Sequence, residues 1–259
     1  ILVLRLDRIG DVLMSLPAIR ALRDALPEAK IRLAVGEWSR EIALDAPVDE
    51  VLVWSAPWVG RRDEGASSIA SLFQAARSRV AMRPDLAIDL QGDSRAMWLM
   101  AATGARARSG YANTGSASLL TAIADLDEDV SFVEQNYRVI EAALGHAVLR
   151  KPFRWLDEDR RSRGAALLRA RLAEAGLFRE GPVIGIHPGA GRRIKEWPVE
   201  RFVELGRRLA REKGATLVIT GSASEAAKAG TIRAALDGAA LDLSGRLDLG
   251  AFAEVMTAF

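Results

Sequence analysis

The chain has 259 residues, of which 49% are hydrophobic and 27% charged, with a formal net charge of +2. That length suits two domains of roughly 100–150 residues, and no apolar run approaches the roughly 20 residues a membrane span needs. Cysteine is absent, which excludes disulfides, a thiol nucleophile and thiolate metal sites. With only His146 and His187 available, a metal site would have to lean on carboxylates. The near-neutral balance lacks the dense basic face of a nucleic-acid binder, so no nucleic-acid partner is expected. The basic residues are mostly arginine, whose planar fork suits phosphorylated or carboxylated small molecules and anionic headgroups.

Apolar runs at 1–6 (ILVLRL), 30–36, 50–54 and 85–90 read as strands, with helical patterns between them. The helices include PAIRALRDAL, ASSIASLFQAARSRV, SRAMWLMAAT and VEQNYRVIEAAL. Continuous apolar strands alternating with amphipathic helices predict an α/β fold with parallel sheets covered on both faces. The segment from Ser55 to Ser67, rich in Gly, Pro and Arg, reads as a long loop at the mouth of the first sheet. The alternation falters between Gly145 and Asp157, and a charged helix from about Glu158 to Ala175 follows. Strand-like runs resume at 182–187, 215–220 and, more weakly, 240–245. Two doubly wound domains are therefore expected, over 1–157 and 158–259. The closing AFAEVMTAF reads as a helix with no strand after it, so the second domain is expected to be incomplete. The six tryptophans are scattered, which suits core or interdomain packing better than a stacking platform.

In open α/β sheets ligands bind beyond the carboxyl ends of the strands. Four clusters occupy such places: Asp7 to Asp11, Gln91 to Arg95, His187 to Pro198, and Gly221 to Glu225. The third holds Gly189-Ala190-Gly191, whose backbone N–H groups can approach an anion closely, followed by Arg192, Arg193 and Lys195. Together with a helix start near Pro198 this describes a phosphate cradle, although it lacks the P-loop pattern. An ordinary strand–helix loop with solvated charges competes with that reading. Aspartate is a favoured N-cap and Asp11 precedes an apolar helix, so capping competes with chemistry there too. Pro17 would cost that helix a hydrogen bond to Leu13, which suggests a kink or a regular start near Ser15. His187 suits a packed, hydrogen-bonded strand end, and His146 a surface position.

The ordered series ILVLRLDRIGDVLMSLPAIRAL, DLAIDLQGDSRA, VEQNYRVIEAALG, VIGIHPGAGRRIKEWPVERFVELGRRL, LVITGSASEAAKA and LDLSGRLDLGAFAEVM resembles glycosyltransferase family 9, the bacterial heptosyltransferases. The similarity runs through essentially the whole chain. It implies a GT-B fold of two facing Rossmann-like domains, the first binding acceptor and the second a nucleotide-sugar. It implies inverting transfer of a heptose-type sugar from an ADP-sugar onto the lipopolysaccharide inner core or a related glycan, without metal or cofactor. It also implies a cytoplasmic protein, with peripheral contact at the inner membrane's cytoplasmic face. By position, Asp11 matches the catalytic base, Lys195 the donor-phosphate ligand and Glu225 the acid that meets the donor ribose. Gly10 would leave room for acceptor, with Arg95, Arg61 and Arg62 on the acceptor side. Arg77 and Arg79 would join the latter two at an anionic glycolipid surface, a reading with which a merely solvated loop and helix face competes. The family's Asp-(Ser/Thr)-Gly-x-x-His segment would follow Phe259. Hydroxyl residues of some members' phosphate loops are Ala190 and Gly191 here, which leaves more to backbone donors. The absence of cysteine disfavours the family's iron-binding, protein-modifying branch. A non-catalytic nucleotide-sugar-binding relative and a GT-B-like nucleotide-sugar epimerase are the alternatives.

Overall fold

A computed structural model describes residues 1–54, 56–59, 70, 73–74, 83–112, 115–177, 180–236 and 238–259. The chain divides into two compact units, Ile1–Trp155 and Leu156–Phe259. Most of the expected 55–67 loop and most of the helix expected over 66–80 lie outside the described residues, as do Arg61, Arg62, Arg77 and Arg79. No described helix is long and apolar enough to cross a membrane.

The first unit holds strands β1 (Leu2–Arg5), β2 (Arg32–Val35), β3 (Glu50–Val53), β4 (Leu86–Asp89), β5 (Ala107–Tyr111) and β6 (Ala122–Ala124). All pair in parallel, in the order β3-β2-β1-β4-β5-β6. This order reverses direction between β1 and β4, the switch point where open sheets bind ligands. Alternation along β1 sends Leu2 and Leu4 to one face, where they pack with Leu52, Trp54 and the helix α3 (Ser94–Ala102). The helices α1 (Ile9–Ala25) and α4 (Phe132–Leu144) pack together, with Asn136 Nδ2 donating to the Met14 carbonyl at 3.1 Å. A short helix, α2 (Arg40–Ala43), follows β2.

The helix α1 corrects the sequence reading. It begins at Ile9 and runs through Pro17 as one element, rather than starting near Ser15. Its N-cap is Arg8, and Asp11 is a first-turn residue, not the cap. A mid-helix proline costs about 3 kcal/mol. Val12, Leu16, Ile19 and Leu22, each fully buried, offset it at roughly 1.5–3 kcal/mol apiece.

In the second unit β7 (Val183–Ile186), β8 (Thr216–Ile219) and β9 (Ala240–Asp242) form a parallel sheet in that order. Leu217 and Ile219 face α6 (Val199–Lys213) and α7 (Ala226–Ala235) through Phe202, Ile232 and Leu236. Val218 faces the other way, into a core built from Leu168, Leu172 and Val255. Those come from α5 (Glu158–Glu174), the expected charged helix, and α8 (Leu249–Met256), the expected closing one. Gly164 lets α5 approach α8 closely, because a Cβ there would lie 2.0 Å from the Glu254 carbonyl oxygen. Arg160 Nε then donates to Glu254 Oε1 at 2.9 Å. Trp98 and Trp197 are about half exposed, so the reading of the tryptophans as core holds for Trp54 and not for these two.

Candidate active site

The first unit carries a cluster of charged groups at its switch point. Arg5 ends β1 and is only 4% exposed. Its Nε donates to the backbone carbonyl of Asp11 at 3.2 Å and lies 3.1 Å from Asp7 Oδ1 in an ion pair. One terminal nitrogen donates to the Leu90 carbonyl, and the other lies 3.8 Å from Asp11 Oδ1. The buried Asp89, ending β4, accepts from the N–H groups of Gln91 and Gly92, each at 3.0 Å. Burial pushes the Asp7 carboxyl up to about 6 against the pull of Arg5, with Asp11 adding to the rise. Burial likewise pushes Asp89 up to about 7, against the Gln91 and Gly92 donors and the Arg5 charge. Asp11 itself is part exposed, at 30% of its side chain, so its carboxylate can meet a solute.

Of the other expected acceptor-side residues, Gly10 and Arg95 are described. A Cβ built on Gly10 would meet nothing within 4 Å, and its φ is not positive, so neither packing nor backbone geometry demands glycine there. Arg95 is held flat. Its Nε and terminal nitrogen reach Asp93 at 2.8 and 2.5 Å, and its guanidinium sits 4.7 Å from the Trp58 ring centroid. Arg95 follows β4 as Asp11 follows β1, so both stand at the carboxyl edge of the sheet.

The second unit brings two expected donor-side motifs into contact. Parallel pairing of β7 with β8 aligns Ile186 with Ile219, which places the loops after the two strands side by side. There the Glu225 carboxylate lies against the Gly189 backbone, so closely that a Cβ on Gly189 would fall 1.6 Å from Glu225 Oε1. Glu225 Oε2 accepts from the Ser222 N–H at 2.7 Å and from its hydroxyl at 2.8 Å, forming a capping box. Burial raises the Glu225 carboxyl, but the two Ser222 donors, His187 and Lys228 outweigh it and leave it below its ordinary value. Among the described residues, the N–H groups of Gly189, Ala190 and Gly191 have no hydrogen-bond partner. Lys195, closing a 3₁₀ turn (Arg193–Lys195), is exposed with no ion pair among them, whereas Glu196 pairs with Lys228 at 2.8 Å. Pro198 is the N-cap of α6. His187 stays exposed, its Nδ1 3.1 Å from Thr220 Oγ1 and its ring beside Phe252. Among the described residues no group of three or more His, Asp or Glu has the arrangement to hold a metal.

Sequence reading missed Arg5 and Asp89 as site residues, and placed Asp7 in a strand-end cluster without giving it a role. The signal was present: a charged residue closes each of two apolar strands, at the end where ligands bind.

Residues 70–259 match the model of glycosyltransferase family 9 (heptosyltransferase). No curated protein matches the chain. Solved structures match its fold. One is a family 9 glycosyl transferase from Veillonella parvula DSM 2008, with 22% identity and a TM-score of 0.75 over 98% of this chain and 71% of that one. Another is the ADP-heptose LPS heptosyltransferase II of E. coli, with 23% identity and a TM-score of 0.67 over 99% of this chain and 76% of that one. A third is E. coli heptosyltransferase WaaC with ADP-2-deoxy-2-fluoro heptose, with 20% identity and a TM-score of 0.69 over 98% and 79%. The α/β units are thus of the GT-B type, and with nearly three quarters of its length on the family model the chain belongs to glycosyltransferase family 9 and is a glycosyltransferase.

Proposed function

We propose that the enzyme transfers a heptose-type sugar, with inversion, from an ADP-sugar to a hydroxyl of a lipopolysaccharide inner-core or related glycan. The observation that carries this reading is the Asp11 carboxylate. It stands part exposed in the first turn beyond β1, at the switch point of the sheet, and caps nothing. Support comes from the matched E. coli structures, named for heptosyl transfer and holding ADP-2-deoxy-2-fluoro heptose in one case and ADP in another.

In this reading the ionised Asp11 takes the proton from the acceptor hydroxyl. The hydroxyl oxygen bonds to the anomeric carbon as the bond from that carbon to the diphosphate breaks, leaving ADP and a neutral Asp11. A positioned general base contributes about 10²–10⁴ in rate. Lys195 and the unpartnered N–H groups of the Gly189–Gly191 loop stabilise the charge that grows on the diphosphate, the part a metal plays in other transferases. Glu225 Oε1 accepts from the ribose hydroxyls while Oε2 remains in its capping box. Open space over Gly10 admits the acceptor, with Arg95 at the same end of the sheet. A cytoplasmic enzyme working at the inner membrane's face suits a glycolipid acceptor.

The test is incubation of ADP-heptose with an inner-core glycan acceptor, with products read by mass spectrometry. Transfer is expected, and Asp11→Asn should lower kcat by about 10²–10⁴ while leaving donor affinity nearly unchanged. Release of free altered sugar would indicate an epimerase, and binding without turnover a non-catalytic relative. Native turnover in Asp11→Asn would remove Asp11 as the base.

A further inference from the structure

We propose that Arg5 is a positioning residue for this reaction: its buried guanidinium holds the first turn of α1, and with it the Asp11 carboxylate, against the two central strands. The inference rests on the reading of Asp11 as the base.

Arginine is almost never fully buried unless paired. Arg5 is buried, and its partners come from three separate segments. Asp7 lies in the turn after β1, Asp11 in the first turn of α1, and Leu90 just past β4. The backbone carbonyl of Asp11 is gripped at 3.2 Å, and its carboxylate is approached at 3.8 Å. The guanidinium therefore fixes where the Asp11 Cα sits and leaves the carboxylate free to take a proton. A planar fork of five donors can serve three segments at once, whereas a lysine ammonium is a single point on a flexible stem.

Charge supports the same role. Three carboxylates, Asp7, Asp11 and Asp89, stand around this one guanidinium. Arg8 adds its charge near Asp7 from the turn, and Tyr111 on β5 lies within electrostatic reach of Arg5, Asp89 and Arg138 of α4. Removal of Arg5 would leave Asp11 among like charges as well as unanchored.

Kinetics of the full chain test this with ADP-heptose as donor and an inner-core glycan as acceptor. Arg5→Lys, Asp11→Asn and the double variant are compared with the native enzyme. A misplacement of about 1 Å costs on the order of 10²-fold, so Arg5→Lys should lower kcat about 10- to 100-fold with donor KM unchanged. It should lower kcat no further in the Asp11→Asn background, because no base remains to be positioned. A second variant, Arg5→Gln with Asp89→Asn, removes one charge of each sign from the buried cluster and should show the same kcat loss with KM kept. Native kcat in Arg5→Lys, or equal fractional losses in both backgrounds accompanied by a lower thermal midpoint, would overturn the proposal. Full activity of Asp11→Asn, or no transfer by the native chain, overturns the base assignment itself and so marks a different failure.

Discussion

Gly189→Ala isolates the contact on which the proposed donor site rests. The added methyl carbon would lie 1.6 Å from Glu225 Oε1 and 2.2 Å from its Cδ. Non-bonded heavy atoms rest at about 3.5 Å, so the carboxylate must withdraw by roughly 2 Å. The backbone itself accepts alanine, because Gly189 is not among the residues with positive φ. The strain therefore falls on a flexible side chain, and the fold should survive. Withdrawal breaks the hydrogen bonds from the Ser222 N–H and hydroxyl, at 2.7 and 2.8 Å. Ser222 is exposed and water replaces them, so the loss is about 1–2 kcal/mol, or ~2–8 °C in Tm. The donor suffers more. Hydrogen bonds to a charged group are worth about 1.5–3 kcal/mol, so ADP should bind about 10- to 100-fold more weakly. Calorimetric titration of ADP into Gly189→Ala, Glu225→Ala and the double variant checks this. The double variant should bind no more weakly than Glu225→Ala. Losses that add in the double variant, or native ADP affinity in Gly189→Ala, would refute the coupling and leave the glycine acting through its own N–H group.

Lys195→Ala should weaken ADP binding and also lower kcat, since the charge it meets grows in the transition state. Glu225→Ala should instead raise donor KM with kcat largely kept, and steady-state kinetics separate the two patterns. Gly164→Ala should destabilise by about 1–3 kcal/mol in urea unfolding, because its Cβ would meet the Glu254 backbone carbonyl at 2.0 Å. Helix propensity alone predicts a gain of ~1 kcal/mol, so the sign decides between packing and propensity. Stability should fall as pH rises from about 4 to about 7. Asp7 and Asp89 hold protons more tightly folded, at about 6 and about 7, than at their ordinary 3.8, so the folded state binds more protons across that window. Shifts of this size correspond to roughly 3 and 4 kcal/mol, and because both acids share Arg5 their combined loss is less than the two together. Below about pH 4, protonation of carboxylates held low by arginine, such as Glu141 and Asp93, removes stability instead. Urea unfolding should thus give a maximum near pH 4 and a flatter alkaline side in Asp7→Asn, and stability that rises from pH 5 to pH 8 would contradict the burial argument.

Strands that bury both faces announce themselves as apolar runs, and β1 to β4, β7, β8 and β9 all stand where such runs occur. The strands β5 and β6 do not, for a physical reason. The buried residues of β5 are Ser109, Gly110 and Tyr111, and the Ser109 hydroxyl is satisfied by the Val139 carbonyl at 3.2 Å. A polar side chain with a partner costs little inside, so the pattern there is silent. The start of α1 was hidden because Arg8 provides no side-chain cap and Pro17 imitates a helix start, while apolar burial along the helix carries it through.

The candidate site divides along the same line. Residues close in sequence, Gly10 with Asp11 and the Gly189 loop with Lys195, can be read as units because a turn alone brings them together. Gly189 with Glu225 needs the parallel pairing of β7 and β8, and no local pattern reports that one strand-end loop rests on another. Arg5 and Asp89 are further apart still. Each reads as a lone charged residue at the end of an apolar strand. Only the pairing of β1 with β4, in a register that sets Leu4 opposite Asp89, turns them into one buried cluster. A charged residue that closes a strand earns its burial from a neighbour supplied by topology. In a doubly wound sheet that neighbour is found at the switch point, which is also where the substrate must come.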